Sequence, residues 1–450
     1  VASGGPEIRE PRIYYGEETD TYVIVKGSTP EFDYPKGKDN AYASYTGSGG
    51  IPIGGIGRRA LFAWYFTDLN LLLSGYITAE SRIMIRRNIQ ERVREIAPFL
   101  RLDHDPYLVI SEGRLFWLQD AYTTSDYFPY AQPARGFGLN YIRNSVKIVV
   151  DAYNGSVDFY LMDSSDPIAA TYGRIFPALF KPFAAMPADL QKHIRYPEDM
   201  FLIQAQLYQT YHMEAADVFY NREDLWQFPR QPGGGGTARM VPYYIIMRLP
   251  GEAQAEFFIM LPMVPSRRDN MIAWLAARCD HPGYGTLIVY EFPKEKLIYG
   301  PFQIEALINQ NTYISQQISL WNQMGSRVIR GNLLVIPIEN SILYISPLYL
   351  RAEQGQLPEL KRVIAAYGDR VVMEETLSQA LSALFANEKT PAPAATEPGA
   401  GGMADRARQA LDHYNRALER LKAGDWAGFG TELDAMRGLL QGMIPEPGGQ

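Results

Sequence analysis

The sequence predicts an α+β fold: mixed helices with mainly antiparallel sheet, plus a C-terminal helical hairpin. Three observations lead there. Apolar segments of period two come in pairs around Gly113 and around Asn154-Gly155, as antiparallel hairpins require. Stretches with apolar residues three and four apart alternate with those pairs, which calls for helices between strands. A Pro/Ala/Gly-rich stretch at 387–402 then separates the body from a final helical pattern.

In chain order, residues 1–58 read as extended and loop-rich, with a short strand at 22–25 and many permissive glycines at 47–57. Helical spacing follows at 59–73 and at 80–97. In the latter Ile85, Ile89, Val93 and Ile96 share one stripe, and Pro98 fits its end. Strands at 107–110 and 115–118 make the first hairpin, and 146–150 with 157–161 the second. Helices are expected at 177–183, 187–193 and 197–213, and Pro232 with four glycines marks a flexible interruption. Beyond it come strands at 243–248, 256–261, 287–292, 333–337 and 342–346, with helices at 270–278, 306–324 and 358–366.

These elements divide into an N-terminal α+β region at 1–231 and a second at 237–386, either separate or continuous with the first. The linker at 387–402 leads to a helical hairpin at 403–442. There Ala407, Ala410, Leu411, Tyr414, Ala417, Leu418 and Leu421 form one stripe, and Phe429, Leu433, Met436 and Leu440 the next.

Composition removes several classes of function. Hydrophobic residues make up 46% of the 450, so wholesale disorder is excluded. The net charge of -7 provides no field for nucleic acid, and Arg267-Arg268 is too small a basic cluster to reverse it. The single cysteine, Cys279, forbids an internal disulfide and any multi-cysteine metal site. No stretch approaches the roughly 18 continuous apolar residues of a membrane span. No secretory signal opens the chain, and Val1 does not read as a natural initiator end.

Candidate chemistry falls in three places. Asp103, His104 and Asp105 set two carboxylates beside an imidazole, which a hydrolase could use as acid, base or proton relay, and a capped turn could use for structure. Asp120, Asp126, Asp151, Asp163 and Asp166 could supply oxygen ligands to Ca²⁺ or Mg²⁺, although their spacing is no EF-hand. Asp120, Tyr122, Asp126, Tyr127 and Tyr130 form an acidic-aromatic stretch suited to a glycan or peptide ligand. Elsewhere the signals are weaker. Arg195 has Glu198 and Asp199 as salt-bridge partners nearby, Cys279 follows an apolar run, and the glycines at 47–57 lack the Lys-Ser/Thr ending of a phosphate loop.

Several stretches resemble uncharacterised protein family 0182. They are 12–16, 22–25, 88–105, 113–130, 144–160, 195–201, 270–279, 299–305, 319–334 and 344–352, and together they cover most of 8–386. The resemblance implies a bacterial integral membrane protein with several N-terminal spans, of which this chain is the large extracytoplasmic region. Its own transmembrane region would then be one partner, and envelope proteins or glycans others. The family brings no biochemical activity with it. The leading expectation is a non-catalytic ligand-sensing, scaffold or interaction domain. The alternatives are a metal-assisted cell-envelope hydrolase and the soluble part of a transport assembly.

Overall fold

A computed structural model describes residues 5–385 apart from 38, 234–235, 250–251, 253, 294, 296, 324, 339–340 and 353–356, together with 412, 413, 415, 416, 420, 431, 432 and 435. The expected linker at 387–402 lies outside the described residues, as does most of the expected hairpin at 403–442. Its described residues are helical, and His413 Nδ1 meets Glu432 Oε2 at 2.7 Å. The chain divides into two compact units, Val1–Phe385 and Ala386–Gln450.

Within the first unit, α+β architecture with predominantly antiparallel pairing is what the strands form. The central element is the long strand Arg114–Ser125, which pairs with Tyr141–Asp151 on one side and with Tyr107–Ser111 and Arg101–Leu102 on the other. Tyr141–Asp151 pairs in turn with Val157–Leu161. Glu112 and Gly113 both have positive φ, and Gly155 has φ +73°, so the two expected hairpins turn where the sequence places them. A Cβ at Gly155 would sit 2.4 Å from the Tyr15 ring, so both the backbone angle and the space demand glycine there.

A second sheet is built from Tyr243–Met247, Glu256–Pro265, Ala273–Arg278 and Leu287–Glu291, and a third centres on Ser341–Ala352 and Glu359–Tyr367. The helix Glu198–Tyr211 contributes Phe201 and Ala205 to the same core as Ile259, Trp274, Ile304 and Tyr344. Another core joins Tyr15, Val93, Trp117, Ile148 and Phe159 beneath the first sheet.

Several elements differ from expectation, each for a physical reason. Residues 270–278 contain the strand Ala273–Arg278, flanked by strands on both edges and buried from Ala273 through Ala277. A segment covered on both faces is apolar throughout, and periodicity cannot separate it from a buried helix. Residues 358–366 fall in the strand Glu359–Tyr367, closed by Gly368-Asp369 onto Arg370–Glu374. The 80–97 stretch is a strand at Arg82–Met84 and then a helix at Ile89–Ile96, begun where Asn88 accepts the Glu91 amide at 3.1 Å. Residues 177–183 hold a strand, Phe180–Pro182, that lies parallel to Val157–Leu161. The 306–324 helix breaks at Asn311, whose side chain caps a second helix through the Ile314 amide at 3.1 Å. The glycine-rich interruption is flanked by paired strands, Arg230–Gly233 and Gly236–Arg239.

Candidate functional site

The loop after Arg101–Leu102 presents Asp103, His104 and Asp105 to the N-terminus of the helix Glu198–Tyr211. Pro197 precedes this helix and leaves its first amides free to meet an acceptor. Asp103 Oδ2 takes the Asp199 amide at 3.0 Å and the Tyr122 hydroxyl, while Oδ1 takes the Asp105 amide at 3.0 Å. Burial pushes the Asp103 carboxyl up, and these donors, chiefly the Tyr122 hydroxyl, only partly offset it.

His104 stands at the edge of the cluster. Its Nδ1 lies 2.9 Å from Asp199 Oδ1 and 3.7 Å from Asp103 Oδ1, and its Nε2 is 3.9 Å from Glu198 Oε1. Partial burial works against charging the imidazole, yet the carboxylates of Asp199, Asp103 and Glu198 outweigh it and raise its pKa. Burial pushes Glu198 up to about 7, against the opposing pull of His104. Two groups whose hold on a proton is strengthened by folding therefore stand in one place.

Asp105 pairs with Arg195, so the partner of that arginine is not Glu198 or Asp199. The Arg195 guanidinium is 3.9 Å from the Tyr107 ring centroid and 4.4 Å from that of Tyr244, a cation between two aromatic faces. Arg195 also leads to a second polar group. Its carbonyl lies 3.3 Å from the Lys147 ammonium, which is buried against Asp120 and donates to the Tyr284 hydroxyl at 2.7 Å. Asn144 donates to Asp120 at 2.9 Å. The network joins the first sheet to the turn after Ala273–Arg278.

The acidic-aromatic stretch is not gathered into one site. Asp120 and Tyr122 are on the strand Arg114–Ser125 and are buried, because that part of the strand is covered on both faces. Asp126, Tyr127 and Tyr130 lie beyond the strand end and are exposed. Of the five aspartates proposed for Ca²⁺ or Mg²⁺, Asp126 is exposed and the other four are each engaged by partners of their own, Asp120 by Lys147. Asp151 pairs with Arg114 at 2.6 Å and accepts the amides of Tyr153 and Asn154. Asp163 pairs with Arg143 at 2.9 Å. Asp166 caps the helix Pro167–Ile175 and takes hydroxyls from Ser145 at 2.7 Å and Tyr141 at 3.0 Å.

Among the described residues, the grouping with ligand atoms close enough to share a cation is instead Asp103, His104 and Asp199, all within 4.8 Å of one another. Two carboxylates and an imidazole could coordinate a divalent cation, and the nitrogen donor suits a first-row transition ion better than the all-oxygen preference of Ca²⁺ or Mg²⁺. Sequence spacing missed Glu198 and Asp199 as members, since they lie 95 positions from His104 in the case of Asp199. The one local signal was a Pro-Glu-Asp opening to a helix, which reads as an acidic first turn. Cys279 plays no part: it is buried, accepts the Tyr196 amide at 3.3 Å, and burial raises its thiol to about 11.

The chain belongs to the uncharacterised protein family UPF0182, whose model matches residues 1–321. It is 77% identical over 448 residues to a UPF0182 protein of Bradyrhizobium diazoefficiens, covering 98% of this chain and 48% of that one. A UPF0182 protein of Cupriavidus necator is 70% identical, with 98% and 49% covered, and one of Moorella thermoacetica is 52% identical, with 98% and 50% covered. The chain thus spans about half the length of the curated relatives it matches. No solved structure matches it. No helix among the described residues is long and apolar enough to cross a membrane.

Proposed function

We propose that this chain is an extracytoplasmic interaction domain of a bacterial membrane protein, docked on the membrane-embedded half of its own polypeptide. The docking element is the pair of contacting helices Ile56–Phe66 and Asn70–Leu73. One observation carries this reading: the pair is apolar on both faces. Ala63 and Leu71 are buried in a core that Phe62, Phe66 and Ile83 complete. On the outside Leu61, Trp64, Leu69 and Leu73 face solvent, Trp64 at 79% and Leu73 at 77% exposure.

A helix needs one apolar stripe to join a core, and its second face is ordinarily polar. An outward stripe of this size marks a surface that something covers. The occupant follows from length, because the relatives carry as much chain again as is present here. Trp64, Tyr65 and Tyr76 suit a membrane–water boundary, where rings with one polar end are favoured.

The test places a photo-reactive residue at Trp64 or Leu73 in the full-length protein in its native membrane, with exposed Leu357 as control. Cross-links from 64 and 73 into the other half of the same polypeptide are expected. Labelling at those positions no different from the Leu357 control would overturn the reading.

A second reading, a cation-dependent envelope hydrolase, has the Asp103, His104 and Asp199 donor set in its favour. It requires turnover of a glycan, phosphate ester or peptide that depends on an added divalent ion and is lost in His104→Ala. A metal-independent trace of activity, or none, would remove it.

A further inference from the structure

We infer that a cavity between the helix Glu198–Tyr211 and the loop joining the two long strands is a binding site for a phosphoryl group. The cavity holds about 400 Å³, within the range that accommodates small ligands. Three arginines reach it from separate elements. Arg135 comes from the loop between Arg114–Ser125 and Tyr141–Asp151, Arg222 from the left-handed end of the helix Ala216–Asn221, and Arg239 from the end of the strand Gly236–Arg239.

Two features of the cavity bear on its ligand. Among the described residues, no Asp or Glu lines the cavity, although the chain carries 50 acidic residues against 43 basic ones. None of the three guanidinium groups has an ion-pair or side-chain hydrogen-bond partner among the described residues, whereas Arg12, Arg114, Arg143, Arg195, Arg278 and Arg330 all pair with carboxylates. Glu223, next in sequence to Arg222, accepts from the Asn221 side chain instead. Three cationic side chains line one concavity that has no acidic residue in its lining, so an anion entering it meets attraction with no opposing carboxylate.

The donor geometry selects the class of anion. Each guanidinium offers a planar fork of N–H donors, which matches the paired oxygens of a phosphoryl group. A dianionic phosphate monoester or a pyrophosphate presents enough oxygens to meet all three. Tyr211 and Phe219, with ring centroids 5.6 Å apart, form an apolar wall for the remainder of the ligand, and Gln206 adds a neutral polar contact. This site is separate from the apolar helix pair and stands whether or not that pair docks as proposed.

The experiment titrates the purified chain calorimetrically with inorganic pyrophosphate, and in parallel co-sediments it with phosphatidylcholine vesicles that contain or lack phosphatidic acid. Arg222→Gln and Arg239→Gln are compared, both at exposed positions, with unchanged thermal unfolding as the check that they fold. Saturable pyrophosphate binding, weakened roughly tenfold by each substitution, is the expected result, since a hydrogen bond to a charged group has about that effect. Binding to phosphatidic acid vesicles alone, reduced by the same substitutions, assigns the site to a lipid phosphate. Binding to neither probe, or binding that both variants retain in full, overturns the inference.

Discussion

The Tyr122 hydroxyl donates to the same Asp103 oxygen that accepts the Asp199 amide at the start of the helix Glu198–Tyr211. A sheet residue and a helix terminus thus meet on one buried carboxylate. Tyr122→Phe removes one donor and leaves the carboxylate with its amide contacts. Loss of a hydrogen bond to a charged group costs about 1.5–3 kcal/mol, so the midpoint of urea unfolding should fall by that equivalent. An unchanged midpoint would show that Asp103 is protonated and finds another partner.

Stability of the first unit should decline as pH rises from 4.5 through about 7, and the sign follows from the directions of shift. Glu198 goes up from 4.5 to about 7 on folding, so the folded state holds its proton more tightly than the unfolded chain does. That contribution is complete below 4.5 and lost as pH passes about 7. His104 is raised above 6.5, so its contribution is complete below 6.5 and lost as pH rises through the folded value. Both act in the same direction. Urea unfolding across this range should show the decline, and Glu198→Gln should flatten its lower part. A slope of opposite sign would mean that other groups dominate.

Local chemistry made part of this fold legible in advance. Gly113 and Gly155 both have positive φ, a conformation glycine adopts freely, and so the two turns are announced by residue type alone. Ala273–Arg278 and Glu359–Tyr367 were opaque, because the choice between helix and strand rested on the strands that pair along both of their edges, and an apolar run does not announce those partners. The candidate site divides in the same manner. Asp103, His104 and Asp105 stand together in sequence, but nothing local announces that Glu198 and Asp199 close the cluster. Asp120 misled for a related reason: an aspartate near aromatic residues resembles a surface site, and only the fold supplies Lys147 to bury it against.

Lys147→Met should be among the most damaging single substitutions in the first sheet. It leaves the Asp120 carboxylate buried with Asn144 as its remaining side-chain donor. Breaking a buried pair from one side costs about 3–5 kcal/mol, whereas replacing both members with apolar groups is often neutral. The double variant Lys147→Met with Asp120→Leu should therefore recover most of the loss. Denaturation of the two single variants and the double gives the coupling directly, and simple additivity would argue against the pair as the cause.

Gly155→Ala tests the turn that fixes the second hairpin. The added methyl would lie within 2.4–2.6 Å of three Tyr15 ring atoms, on a backbone at φ +73° that L-residues seldom adopt. Tyr15 is buried, with the Arg92 guanidinium 4.8 Å from its ring centroid, so the ring has little room to withdraw. Arg92 in turn donates to the Gly155 carbonyl at 2.7 Å, which ties the turn to the helix Ile89–Ile96. Backbone strain and overpacking each cost about 1–3 kcal/mol. Thermal unfolding of Gly155→Ala and of the paired variant Gly155→Ala with Tyr15→Leu separates the two. If the smaller side chain at 15 restores part of the loss, the contact with the ring is the larger cause; if it restores none, the positive φ accounts for the whole effect.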